Sequence, residues 1–97
     1  MGRMPTNNDC EEIRALRRGI ADTTRELAVR WRAIAKKRGR LVEILEKPAR
    51  PGWENSKRQM VARYEAEVRN LVDAVEVVES NLAGLKESLE AWEEYVE

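Results

Sequence analysis

The sequence predicts an all-α protein: a long antiparallel helical hairpin that dimerises into a four-helix bundle. Three observations carry that expectation. From Val61 to Val96 the residues Val61, Tyr64, Val68, Leu71, Val75, Val78, Leu82, Leu85, Leu89, Trp92 and Val96 recur at alternating spacings of three and four, which is the seam of a coiled coil or helix bundle. The stretch Lys47-Pro48-Ala49-Arg50-Pro51-Gly52-Trp53 cannot continue a helix, because proline lacks an amide proton and its ring clashes with the preceding turn. Finally, the chain is 42% hydrophobic and 37% charged with five glycines and three prolines, a balance typical of long helices and not of sheet or disorder.

Taken in order, residues 1 to 8 show no periodic pattern and are expected to form a disordered tail. Asp9 reads as an N-cap with Glu12 completing a capping box, so helix 1 is expected from about Cys10 to Lys47. Its apolar stripe reads as Ile13, Leu16, Ile20, Thr24, Leu27, Trp31, Ile34, Arg38, Leu41 and Leu45, with one four-four step around Ile20. Such a step is a stutter that locally unwinds a supercoil. Beside it run Ala21, Ala28, Ala35 and Val42, seven apart, which widen the apolar face and leave room for a close second neighbour. The proline turn covers residues 48 to 53. Ser56 and Gln59 supply a second capping box, and helix 2 is expected over about 54 to 96. A short connection makes the two helices antiparallel neighbours. Gly39, following Lys36-Lys37-Arg38, marks the expected kink or early end of helix 1.

A two-helix chain of 97 residues cannot cover both faces of its helices unaided, so a partner is expected, most simply a second copy. The expected oligomer interface is Leu27, Trp31, Ile34 and Leu41 from helix 1 with Val61, Tyr64, Val68, Leu71, Val75, Val78, Leu82, Leu85, Leu89 and Trp92 from helix 2. An unidentified protein is the further partner expected of such a module.

Residue types argue against an enzyme. Histidine is absent, removing the commonest general base and metal ligand. Cys10 is the sole cysteine, too few for an internal disulfide or a cysteine-based zinc site. No catalytic residues, cofactor or metal are expected. No apolar run approaches the roughly 20 residues that span a membrane, and the expected location is cytoplasmic. Arginine outnumbers lysine thirteen to five, a bias of GC-rich coding that points to a bacterium or phage.

Charge supplies the alternative reading. Residues 1 to 52 carry thirteen basic and seven acidic side chains, and residues 53 to 97 carry five and eleven, so a net charge of zero hides two opposite halves. Arg30, Arg32, Lys36, Lys37, Arg38 and Arg40 cluster toward the turn, a pattern that can track a nucleic-acid backbone. Trp53, in the turn, is either a staple for the loop or an exposed recognition anchor.

A tryptophan at the turn of a short helical hairpin is similar to the Trp-x-Gly substrates of type VII secretion. Here Pro51-Gly52-Trp53-Glu54-Asn55 has its glycine before the tryptophan and none after it. Pro48-Ala49-Arg50-Pro51 resembles the Pro-x-x-Pro turn of type III secretion needle subunits. Together these imply a second alternative, a secreted hairpin protein of a specialised bacterial secretion system. The arginine-rich first helix is similar to that of all-helical chorismate mutases, whose inward catalytic arginines find no counterpart at Ile34 and Ala35. None of the three patterns is complete, and the chain is assigned to none of these families.

Overall fold

A computed structural model describes Met4 and residues 6–96. It consists of two helices, α1 (Asn7–Glu46) and α2 (Glu54–Val96), and no strand occurs among the described residues. The all-α expectation and the hairpin turn are therefore met, and the helix bounds agree with expectation to within a few residues.

The start of α1 differs in its cap. The Asp9 amide donates to Thr6 Oγ1 at 3.2 Å, and the Thr6 amide donates to Asp9 Oδ2 at 3.0 Å. This is a reciprocal capping box with Thr6 as the N-cap. Asp9 lies in the first turn and is only 3% exposed, so it is not the cap, and Asn7 and Asn8 belong to the helix instead of the tail. The rest of the expected tail, residues 1–3 and 5, lies outside the described residues. An aspartate three residues into the helix satisfies the Thr6 amide and also places its charge at the positive end of the helix dipole.

Gly52 adopts a φ of 88° and the Trp53 amide donates to the Arg50 carbonyl at 2.9 Å. Pro51 followed by a left-handed glycine is the chemistry of a type II turn. The Lys57 amide reaches the Trp53 carbonyl at 3.0 Å, which makes Trp53 the N-cap of α2. Ser56 consequently sits inside the first turn and does not cap the helix. The Lys57 ammonium donates to the Lys47 carbonyl at 2.5 Å, so the first turn of α2 satisfies a carbonyl left open just past the end of α1.

The chain divides into two compact units, residues 1–28 with 77–97, and residues 29–76. In the unit of residues 29–76 the two helix segments flank the turn as an antiparallel hairpin. Ile34 and Val75 are 1% and 0% exposed. Lys37 Nζ bonds Glu67 Oε2 at 2.6 Å and lies 4.9 Å from the Tyr64 ring centroid. In the unit of residues 1–28 and 77–97, the first part of α1 packs antiparallel on the last part of α2. Gly19 faces Leu85 closely enough that a Cβ would lie 3.5 Å from Leu85 Cδ1. Arg17 approaches Glu93 at 3.7 Å, and Trp92 meets Tyr95 edge to face at 5.7 Å.

Every position of the expected α2 seam turns inward, buried or half-buried. On α1 the inward positions are Ile13, Leu16, Ile20, Thr23, Leu27, Arg30, Ile34, Lys37, Leu41 and Ile44. They alternate in steps of three and four without interruption, so the expected stutter does not exist. Thr24, Trp31, Arg38 and Leu45 are exposed, and their placement on the seam is corrected to Thr23, Arg30, Lys37 and Ile44. The physical reason is that a partner helix with a strict seven-residue repeat holds α1 to the same repeat. Threonine and the long stems of arginine and lysine can occupy seam positions while their polar ends leave the interface. Nothing lies within 4 Å of where a Cβ on Gly39 would stand, and α1 continues through it to Glu46, so Gly39 does not end the helix.

Candidate functional site: an unpartnered apolar stripe beside a basic face

Removing Trp31 from the seam places it on a second stripe. One residue beyond the seam positions Ile20, Leu27, Ile34 and Leu41 lie Ala21, Ala28, Ala35 and Val42, and one residue beyond Thr23, Arg30, Lys37 and Ile44 lie Thr24, Trp31, Arg38 and Leu45. The set Ala21, Thr24, Ala28, Trp31, Ala35, Arg38, Val42 and Leu45 keeps the three-four spacing and is exposed at every position. An α-helix turns about 100° per residue, so this stripe stands roughly a quarter-turn from the seam. Within residues 29–76, Trp31 is 44%, Val42 50% and Leu45 54% exposed. The Thr24 hydroxyl donates to the Ile20 carbonyl at 2.7 Å, so its polar group is satisfied by its own helix and does not oppose an apolar neighbour.

The expected interface set thus separates. Leu27, Ile34, Leu41 and the ten α2 residues Val61, Tyr64, Val68, Leu71, Val75, Val78, Leu82, Leu85, Leu89 and Trp92 all turn toward the chain's own seam. Trp31 alone among them faces outward. Residues that type-based reading passed over include Val29 and Val77, 63% and 61% exposed. The alanine ladder was the available signal for the second stripe, and only the true seam register shows that Trp31 and Leu45 belong with it.

The basic cluster separates as well. Arg30 and Lys37 are half-buried seam residues, and Lys37 is engaged by Glu67. Arg32, Lys36 and Arg40 follow at intervals of four and share one exposed side of α1, with Arg40 3.4 Å from Glu43. Arg38 interrupts the apolar stripe. Ala33, Lys36, Lys37, Arg40, Tyr64 and Leu71 border an open groove in this unit. Leu45, Val61, Ala62 and Glu65 border another.

Glu67 receives the Lys37 ammonium and also lies 3.9 Å from Arg63. The Lys37 hydrogen bond, aided by the positive charges of Lys37 and Arg63 and opposed by desolvation, holds its carboxyl below the ordinary glutamate range. This pair stitches the hairpin and does not resemble a catalytic dyad, in which like groups push pKa values apart. Trp53 is 62% exposed and, with Ile44, Pro48 and Met60, lines a shallow depression at the turn. Among the described residues, no group of acidic or sulfur side chains could hold a metal ion, and no helix is long and apolar enough to cross a membrane.

No protein-family model, curated protein or solved structure matches this chain. The functional reading therefore rests on the surface itself.

Proposed function

We propose that this protein is a non-enzymatic protein–protein interaction module that acts as a homodimer, two hairpins contributing four helices to one bundle, in the role of an adaptor, scaffold or regulator. The observation that carries this reading is the exposed stripe of Trp31, Ala35, Val42 and Leu45 on α1, left open after α2 has filled the seam. Exposed apolar side chains grouped on one helix face and rimmed by polar residues, here with Arg38 among them, mark association sites. Residues 29–76 carry twelve basic and seven acidic side chains, and the remaining residues carry six and eleven. Opposite net charge of the two units favours pairings that bring unlike units together.

Sedimentation equilibrium at micromolar concentration tests the dimer. A species of twice 11.2 kDa is expected, and a single species at the chain mass overturns the reading.

The exposed row Arg32, Lys36 and Arg40 favours a second reading, a nucleic-acid-associated bundle that binds phosphates through that side of α1. Titration of duplex DNA at several salt concentrations separates the two. Under this reading a triple Arg32→Glu, Lys36→Glu, Arg40→Glu variant loses a salt-dependent affinity that the native chain possesses. Absence of such affinity in the native chain removes it.

A further inference from the structure

We propose that the turn of one copy of this chain docks on the end of α2 of a second copy, with Tyr95 of the second entering the apolar depression beside Trp53 of the first. The inference rests on the self-association proposed above and adds the two surfaces that meet. Each surface lies within a single unit, the turn in residues 29–76 and the end of α2 in residues 77–97.

The turn offers apolar surface edged by positive charge. The depression lined by Ile44, Pro48, Trp53 and Met60 also takes in Lys47 and Lys57. A second depression adjoins it through Ser56 and Met60 and reaches Arg63. Lys47, Lys57 and Arg63 are the charged residues that line the two, and all three are cations. Trp53, Ser56, Met60 and Arg63 keep the three-four spacing, so they share one side of α2 and its cap. The carboxylates near in sequence are placed otherwise. Glu43 approaches Arg40 at 3.4 Å. Glu67 reaches Lys37 at 2.6 Å and Arg63 only at 3.9 Å, and Glu46 and Glu54 line neither depression. From residue 40 to residue 63 six basic side chains stand against three acidic ones, so the turn as a whole keeps the sign of its depressions.

The end of α2 offers the complement. Tyr95 is 52% exposed and borders an apolar recess with Ala91 and Trp92. Glu87 stands four residues before Ala91 and Glu94 three after it, on the same side of the helix. The cations in the helices of this unit lie elsewhere. Arg17 and Glu93 each follow a seam position by one, and their approach at 3.7 Å marks the face where such positions meet. Arg14 and Lys86 belong to that face by the same register. Arg18 and Arg25 lie two residues from the seam, on the outer side of α1, and Arg25 is held by Asp22 at 3.5 Å. Ala91 and Tyr95 instead precede seam positions, which puts them on the opposite face. Positions that precede the seam from Glu12 to Glu26 and from Val77 to Tyr95 include Glu12, Asp22 and Glu26 and no cation.

The two surfaces therefore select each other over themselves. Turn against turn would set cation on cation, and end against end would set glutamate on glutamate. Turn against end pairs unlike charge around an aromatic contact, and such complementarity fixes which patch meets which. Trp53 and Tyr95 are of the residue types that carry interfaces when buried.

Charge exchange tests the contact. A turn variant, Lys47→Glu with Arg63→Glu, and an end variant, Glu87→Lys with Glu94→Lys, should each raise the dissociation constant of self-association in sedimentation about ten-fold or more. Helical circular dichroism should be unchanged in both. Mixed in equal amounts, the two should associate to within about three-fold of the native chain, because glutamates on one turn then face lysines on the other end. A Glu76→Lys, Glu79→Lys variant changes the net charge as much as the end variant does, but at positions that follow the seam, and should leave the constant within about two-fold. A mixture that fails to recover, or an equal effect of this control, overturns the docking while leaving self-association standing. A monomeric native chain overturns both and leaves the turn to an acidic segment of another protein. Independently of charge, Tyr95→Ala should weaken association about ten-fold or more in a chain of unchanged helicity, and an unaltered constant there also overturns the contact.

Discussion

Lys37 donates to Glu67 at 2.6 Å from a position that the heptad assigns to the hydrophobic seam, and the same ammonium stands 4.9 Å from the centroid of the Tyr64 ring. One cation thus satisfies a carboxylate and an aromatic face on the partner helix. Both charged side chains keep more than a third of their surface in solvent, so the pair is worth far less than a buried one, but it occupies a layer that a simple apolar seam would give to leucine.

The pair predicts an acid response. Because the folded-state pKa of Glu67 is lowered, its contribution is fully present above the unfolded glutamate value of about 4.3 and is lost as pH falls through the folded value. Melting temperatures of the native chain and of Glu67→Gln should differ by a constant amount from pH 7 to about pH 5 and converge below that range. A gap that persists undiminished at pH 2 would show that Glu67 does not stabilise through its charge.

Core position and exposed position should respond very differently to the same truncation. Ile34 is 1% exposed, and Ile34→Ala should cost about 2–5 kcal/mol in urea unfolding through lost burial and the cavity left behind. Val29, 63% exposed, should tolerate Val29→Ala with a change within about 0.5 kcal/mol, because alanine is the better helix former and little packing is lost.

Glycines give a contrast of sign. Gly39 and Gly84 lie in helices with nothing within 4 Å of an added Cβ, so Gly39→Ala and Gly84→Ala should each raise stability by roughly 1 kcal/mol. Gly52 holds a φ of 88°, and Gly52→Ala should lower stability by about 1–2 kcal/mol, since the left-handed region crowds a Cβ against the next carbonyl. Thermal unfolding of the three variants reads all of these directly.

The N-terminal box predicts a local effect. Thr6→Ala removes the acceptor of the Asp9 amide and should cost about 1 kcal/mol. Hydrogen exchange should accelerate in the first turn of α1 while amides near Ile34 remain protected, provided the fraying is confined to the helix end.

Much of the fold was legible because its signals are local. The proline turn, the existence and length of both helices and the inward facing of all eleven expected seam positions of α2 follow from residue types and spacing. The α1 seam was legible only where it is apolar. At Arg30 a polar residue holds the seam beside an apolar neighbour, Trp31, that faces solvent. At Thr23/Thr24, Lys37/Arg38 and Ile44/Leu45 the two neighbours are of the same type, so residue type could not choose between them, and the reading shifted by one position and produced a stutter. The caps misled for a related reason. Several residues near each helix start can accept an amide proton, and only the path of the preceding backbone selects Thr6 and Trp53.

The sequence by itself determined that this chain makes two long helices separated by a turn, since helix periodicity, proline and a left-handed glycine act within a few residues of one another. Tertiary structure decided which face of α1 meets α2. That choice depends on matching the strict repeat of a partner helix distant in sequence, and a helix with two apolar stripes can offer either one. Once α2 takes the stripe of Ile20, Leu27, Ile34 and Leu41, the stripe that carries Trp31 is left open.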